Sequence, residues 1–271
     1  MARSRAAAVA LPLLSLWLLF LLGGCAPLFE FNLFRSVDPV SLPTPAELDS
    51  MSEGEALNYL EQELSSPVFV EKLLEDEAAL GAVDALLFEC MTASPDPDSR
   101  KRSAVLYADL RLAASGALEA VDNAYALLSL DPGSLDFSDP AAVLDFLQAL
   151  VADTVPPAAL DSREAFDALL EGFQTAWQGY ERLGNELGAD PAVPDGLNLG
   201  DAVQKALFSY LVTEALRTDG LYASELEARD ALWVAARGEE PPAPTGSGTY
   251  EDPFVPGSAL QNILYAAGIV F

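Results

Sequence analysis

Seven large apolar residues, Phe166, Leu169, Leu170, Phe173, Trp177, Tyr180 and Leu183, recur at spacings of three and four over one stretch of the chain. A stripe of this period places them on one face of a single long helix, and a helix with one apolar face must bury it against other elements. Asp161-Ser162-Arg163-Glu164 precedes the stripe with the residues of an N-cap and capping box, and Gly188 follows it as a stop signal. A helix of this length, apolar along its whole face, needs a body of other helices or a sheet around it.

The flanking sequence supplies helices. Thr44-Pro45-Ala46-Glu47 and Ser52-Glu53-Gly54-Glu55 each pair a cap residue with a glutamate three positions on, and Pro45 suits a first helical position. Ser66-Pro67 opens a helix that either continues into the stretch 76–92 or kinks before it. Residues 99–115 and 117–130 form two helices around Gly116, and Ser138-Asp139-Pro140 opens another. Further helices are expected over 200–217 and about 222–237, the first with apolar residues on all sides and therefore central. The total is nine or ten helices with no strand pattern, an all-α chain built as a multi-helix bundle or as an irregular solenoid of helical hairpins. Trp177-Gln178-Gly179-Tyr180 and Leu183-Gly184 resemble pieces of the tetratricopeptide motif, but in the wrong order and with no second copy about 34 residues away.

The first 25 residues have a different character. Arg3 and Arg5 lead into an apolar run from Ala6 to Leu22, followed by Gly23, Gly24 and Cys25. A basic start, a short apolar core and small residues at a cut site are the parts of a secretory signal, although the run is also just long enough for an uncleaved membrane span. Leu22-Gly23-Gly24-Cys25 resembles the lipobox of bacterial lipoproteins. The resemblance implies cleavage between Gly24 and Cys25, diacylglyceryl and fatty-acyl groups on Cys25, and a chain held at a membrane by those acyl chains. Two or more chains anchor stably where one would be marginal. Residue 26 is Ala rather than the Asp that favours inner-membrane retention in proteobacterial lipoproteins. The resemblance therefore implies the periplasmic face of the outer membrane in a host with two membranes, and the outward face of the only membrane in a host with one. The resulting domain plan is a signal peptide over 1–24, an anchor and tether over 25–44 and a helical domain over 45–238. A Pro/Gly-rich linker or loop follows over 239–256, then a C-terminal apolar helix over 257–271 that docks on the body.

The tether is unusual. Leu28, Phe29, Phe31, Leu33 and Phe34 crowd beside the lipid site, where a plain spacer would be polar. Packing onto the body, dipping into the lipid interface and pairing with a partner as a strand are all open. At the other end Phe271 is a residue that closes many outer-membrane barrel strands, but the chain lacks repeated alternating strands of about ten residues.

Charge and composition then exclude classes of function. The chain has 42 acidic and 14 basic residues, and loss of Arg3 and Arg5 with the signal leaves 12 bases and a formal charge of about −30. Such a charge opposes binding to nucleic acid and to anionic lipid faces, and suits solubility, basic partners or cations. The sequence has no histidine, which removes Ser–His–Asp and Cys–His catalysis and the commonest zinc ligand. Cys90, the second of two cysteines, lies on the helical stripe Leu80, Val83, Leu87, Cys90 and is expected to be a buried, inert thiol.

Three constellations remain. Asp195, Asn198 and Asp201 place oxygen ligands in a glycine-containing loop near Asp190, as calcium would need, although no glutamate closes the set and helix caps use the same residue types. Phe173, Trp177, Tyr180, Tyr210 and Trp233 are a candidate ligand groove between helices, at positions that equally suit a core. Carboxylate pairs such as Glu75 and Glu77 are what 42 acids supply by chance. No cofactor and no catalytic residue is assigned. The expected function is a membrane-anchored scaffold or protein-interaction module of the cell envelope. The second reading is a ligand-binding accessory component of an envelope transport system.

Overall fold

The computed structural model describes residues 40–125, 140–217, 220–246 and 254–269. The chain divides after Ser41, and the helical body is the unit from Leu42 to Phe271. Cys25 and its lipobox, and the tether Leu28–Phe34, lie outside the described residues. Among the described residues there are eleven α-helices, ten of them of seven residues or more, and no strand. They are α1 (Pro45–Ser50), α2 (Glu53–Leu64), α3 (Pro67–Glu75), α4 (Glu77–Ala93), α5 (Pro97–Ala114), α6 (Ala117–Tyr125), α7 (Pro140–Thr154), α8 (Arg163–Ala189), α9 (Leu199–Ala215), α10 (Glu225–Ala236) and α11 (Ala259–Ala266).

Local sequence accounts for most boundaries. The Thr44 hydroxyl accepts from the Glu47 N–H while the Glu47 carboxylate accepts from the Thr44 N–H, and Ser52 and Glu55 repeat this reciprocal box. Asp76 decides the join left open between 66 and 92: its backbone is extended and its carboxylate caps α4, so α3 and α4 are separate helices. Ser162 caps α8 by accepting from Ala165 N–H, but Ala165 occupies the third helical position, so no glutamate completes a box there. Gly188 does not stop α8. The helix continues to Ala189 and ends where Asp190 turns extended. At Gly188 an added Cβ would stand 2.4 Å from the Asn262 amide nitrogen, so this glycine serves the close approach of α11.

The long α8, about 40 Å from end to end, is the axis of a bundle. Helices α5, α9 and α11 lie along it, and α6 and α10 touch it as well. One helix meeting elements from both halves of the chain is bundle packing, whereas in a stacked solenoid each hairpin meets only its neighbours. Phe166, Phe173 and Tyr180 are fully enclosed on the α8 face. Four glycines let the neighbours come closer than side chains would permit. A Cβ at Gly179 would lie 2.6 Å from the Ala104 carbonyl oxygen of α5, and one at Gly184 would lie 2.2 Å from the Ala259 carbonyl oxygen of α11. Gly172 faces Ser115 at the end of α5, and Gly188 completes the row toward α11.

Helix α5 carries the positive charge that ties this acidic body together. Arg100 donates to Glu186 of α8 at 2.7 Å, Arg102 grips Glu61 of α2 at 2.6 Å and Arg111 pairs with Asp84 of α4 at 2.6 Å. Lys101, with no exposed side-chain surface, donates to Asp190 at 3.0 Å and to the Ala192 carbonyl at 2.7 Å, which fastens the loop after α8. Cations near a helix N-terminus oppose the helix dipole, and the cap Asp96 with Asp98 in the first turn offsets them.

Candidate functional site

Among the described residues, the face of α5 turned away from α8 is only partly covered. Helix α3 rises on one side of it and α6, reached through the turn at Gly116 with φ of 73°, on the other. Between them lies an open groove of about 700 Å³. Leu106 and Leu110 of α5 form its floor, Val70 and Leu74 of α3 one wall, and Leu118 of α6 the other. Leu74 is exposed, Val70, Leu106 and Leu118 are half-buried, and Leu110 is buried. The lining is mainly apolar, and its volume falls in the range of ligand-binding clefts.

The polar groups of the groove are acidic at the rim and mixed at the inner end. Glu71 stands on the α3 wall and Glu119 on the α6 wall, both exposed. Glu61 also borders the groove but is occupied by Arg102. At the inner end Asp109 accepts from the Tyr180 hydroxyl at 2.7 Å and from the Lys205 ammonium at 3.0 Å. Lys205 also pairs with Asp201 at 2.7 Å and lies within the electrostatic reach of Asp122. Burial pushes the Asp109 carboxyl above its ordinary value, against the pull of Lys205 and the Tyr180 hydrogen bond. A third of its side chain still meets solvent in the groove; protein encloses the rest. Burial alone would lower the Lys205 ammonium, but Asp109 and Asp201 outweigh it and hold the group above its usual range. Three carboxylates thus surround one lysine, and the inner end keeps an excess of negative charge.

A second concave surface, of about 520 Å³, lies between α1 and α4 and is lined by Leu48, Met51, Leu86 and Cys90 among others. Burial, with Glu53 and Glu89 adding to it, pushes the Cys90 thiol up to about 11. A thiol shifted this way carries little thiolate, the reactive form, at neutral pH.

The other positions singled out in the sequence are accounted for as follows. Phe173 packs on Phe208 with ring centroids 4.8 Å apart, Trp177 on Tyr210 at 5.0 Å, and Trp233 on Phe166 at 5.2 Å. Phe173, Tyr180 and Tyr210 are buried, and none of the five aromatic residues lines either concave surface. Their rings close the seams α8–α9 and α8–α10, and Tyr180 alone reaches the groove, through its hydroxyl on Asp109. In the loop before α9, Asn198 caps the helix by accepting from Asp201 N–H, Asp201 pairs with Lys205, and Asp195 is exposed. Asp190 is held by Lys101. Among the described residues no group of three or more His, Cys, Asp or Glu side chains is placed to hold a metal ion. Among them, too, no helix is long and apolar enough to cross a membrane.

Sequence reasoning missed the polar pair Asp109 and Lys205, which lie 96 positions apart and meet only through the fold. It also missed the cationic role of α5. A signal for that exists: Arg100, Lys101 and Arg102 are consecutive in a chain with only 14 basic residues. Comparison of the chain with protein-family models, with curated proteins and with solved structures finds no match to any of them.

Proposed function

We propose that this chain is a lipoprotein of the bacterial cell envelope, held at a membrane by acyl chains on Cys25, whose acidic helical body works as a non-catalytic protein-interaction module. The observation that carries the reading is the succession of Leu22-Gly23-Gly24-Cys25 by a helical body that bears, among its described residues, an open apolar groove. An anchor fixes where a protein acts, and an open apolar cleft with acidic rims gives it something to hold. The chain brings no histidine to a reaction centre, and its second cysteine is enclosed with a raised thiol. With about 30 more acids than bases after cleavage, the body gains nothing from anionic lipid, so the acyl chains carry the attachment. Ala26 favours the outer membrane in a host that has two.

The test is metabolic labelling with radioactive palmitate, followed by crosslinking in intact cells. The native chain is expected to take up label and to yield a discrete crosslinked adduct. Cys25→Ser is expected to accumulate as an unlabelled precursor. Label on the Cys25→Ser chain, or absence of any specific adduct to the labelled protein, overturns the proposal.

A further inference from the structure

We infer that the groove between α3, α5 and α6 is the docking site for an amphipathic helix of a partner protein that carries Lys or Arg on both sides of its apolar stripe. The inference rests on the interaction role proposed above and specifies its site and the chemistry of its partner.

Shape and charge argue for this occupant together. The floor from Leu106 to Ala113 spans two turns of α5, about 10 Å, and the α3 wall is nine residues long. That accommodates about two to three turns of a helix, the length over which residues at i, i+3 or i+4, and i+7 enter a cleft. The walls then select charge. Glu71 of α3 and Glu119 of α6 both line the groove, so a helix lying in it meets a carboxylate from each of the two helices. Neither is taken up by Arg102, which is committed to Glu61. At the inner end Asp109, Asp122 and Asp201 outnumber Lys205. An acidic or neutral helix would bury its apolar face here but meet repulsion or nothing at the rim. A basic one gains on both sides, and the field of a strongly acidic body draws it in. A second copy of this chain offers the wrong sign: the surface it would present is itself acidic.

The test uses the mature acylated protein in nanodiscs of neutral phosphatidylcholine, with empty discs as the blank. The probe is a synthetic helix of about 16 residues, long enough to form in water, with Leu at helical spacing, Lys on both flanks and one photoreactive residue in the stripe. Its comparator has Glu in place of Lys. The Lys-flanked helix is expected to bind at least about tenfold tighter than the Glu-flanked one and to crosslink to residues of α3 and α5. Leu74→Glu, at a position about one-third exposed and checked for an intact fold by circular dichroism, is expected to abolish binding. The double variant Glu71→Lys, Glu119→Lys is expected to reverse the preference between the two peptides. Equal binding of both peptides, crosslinks that fall outside α3, α5 and α6, or binding that survives Leu74→Glu overturns the inference. So does a dimer of the native protein that Leu74→Glu dissociates, because the groove's occupant would then be a second copy. The two levels fail separately. Palmitate-labelled protein that ignores the peptide strikes the groove alone, and an unacylated chain that captures it strikes the anchor alone.

Discussion

Helix α5 has two faces that solve opposite problems. Toward α8 it presents Ala104 and Ala108, and α8 answers with Gly179, so the backbones approach until an added methyl would overlap a carbonyl oxygen. Buried or half-buried ion pairs from Arg100 and Lys101 close the same seam at its end. Toward α3 and α6 the same helix presents Leu106, half-buried, and Leu110, buried, on the floor of the groove. The first face is packed backbone to backbone, whereas the second leaves Leu106 partly open to the groove among the described residues. The interaction role proposed for the groove rests on that partly open apolar lining.

The seam is where the largest effect should appear. Gly179→Ala adds a good helix former, which in an unconstrained helix gains about 1 kcal/mol. Here the new Cβ would sit 2.6 Å from the Ala104 carbonyl oxygen and 3.0 Å from the Ala108 methyl. The overlap should outweigh the gain and leave a net loss of about 2 kcal/mol in urea unfolding. Gly81→Ala in α4 is the control, since no atom lies within 4 Å of its added Cβ. It should raise stability by about 0.5–1 kcal/mol. If both substitutions stabilise, the α5–α8 seam is looser than its geometry states.

Charge at the seam gives a smaller effect with a pH signature. Glu186 accepts from Arg100 at 2.7 Å and pairs with Arg182 at 2.7 Å. The Arg100 hydrogen bond first, then the nearby guanidinium charges, hold its carboxyl below the ordinary value of 4.5. A carboxyl depressed in the folded state binds its proton sooner in the unfolded chain. Its contribution is therefore complete above about pH 4.5 and is lost as pH falls through the lower folded value. Glu186→Gln should cost about 1 kcal/mol at pH 7, because both arginines keep some access to water. Thermal unfolding of the two proteins should converge as pH drops below 4.5. The difference between them also cancels the general relief of repulsion that acid brings to so acidic a body. A gap that stays constant to pH 3 would show that the pair does not act as a charge pair.

The two faces also differ in how far the sequence reveals them. Helix starts are local chemistry, so Thr44, Ser52 and Ser162 announce their helices directly. The α8 stripe is local periodicity, and it marks Phe166, Phe173 and Tyr180 as core. The glycines of α8 depend on what lies across the seam, so Gly188 resembles a terminator in sequence and is a contact in structure. The groove is harder still. Leu74, Leu106 and Leu118 have the spacing of any core leucine, and no pattern within one helix tells which leucine lacks a neighbour. Asp109 and Lys205 are ordinary surface residues until α5 and α9 bring them together.

The smallest effect separates the two faces most cleanly. Leu74 is about one-third exposed and lies on the α3 wall. Leu74→Ser removes a side chain that is covered over about two-thirds of its surface and open over the rest, so it should cost at most about 1 kcal/mol. The same change removes a wall of the groove at the point where an entering side chain would rest. Capture of the Lys-flanked helix by the acylated protein should therefore fall by about tenfold while the unfolding midpoint falls less than it does for Gly179→Ala. Gly179→Ala should show the converse at moderate temperature, with a lowered midpoint and peptide capture retained, because the seam lies on the far side of α5. A Leu74→Ser protein that loses both together would mean that the groove wall is part of the folding core, and α5 would then have one structural role on both faces.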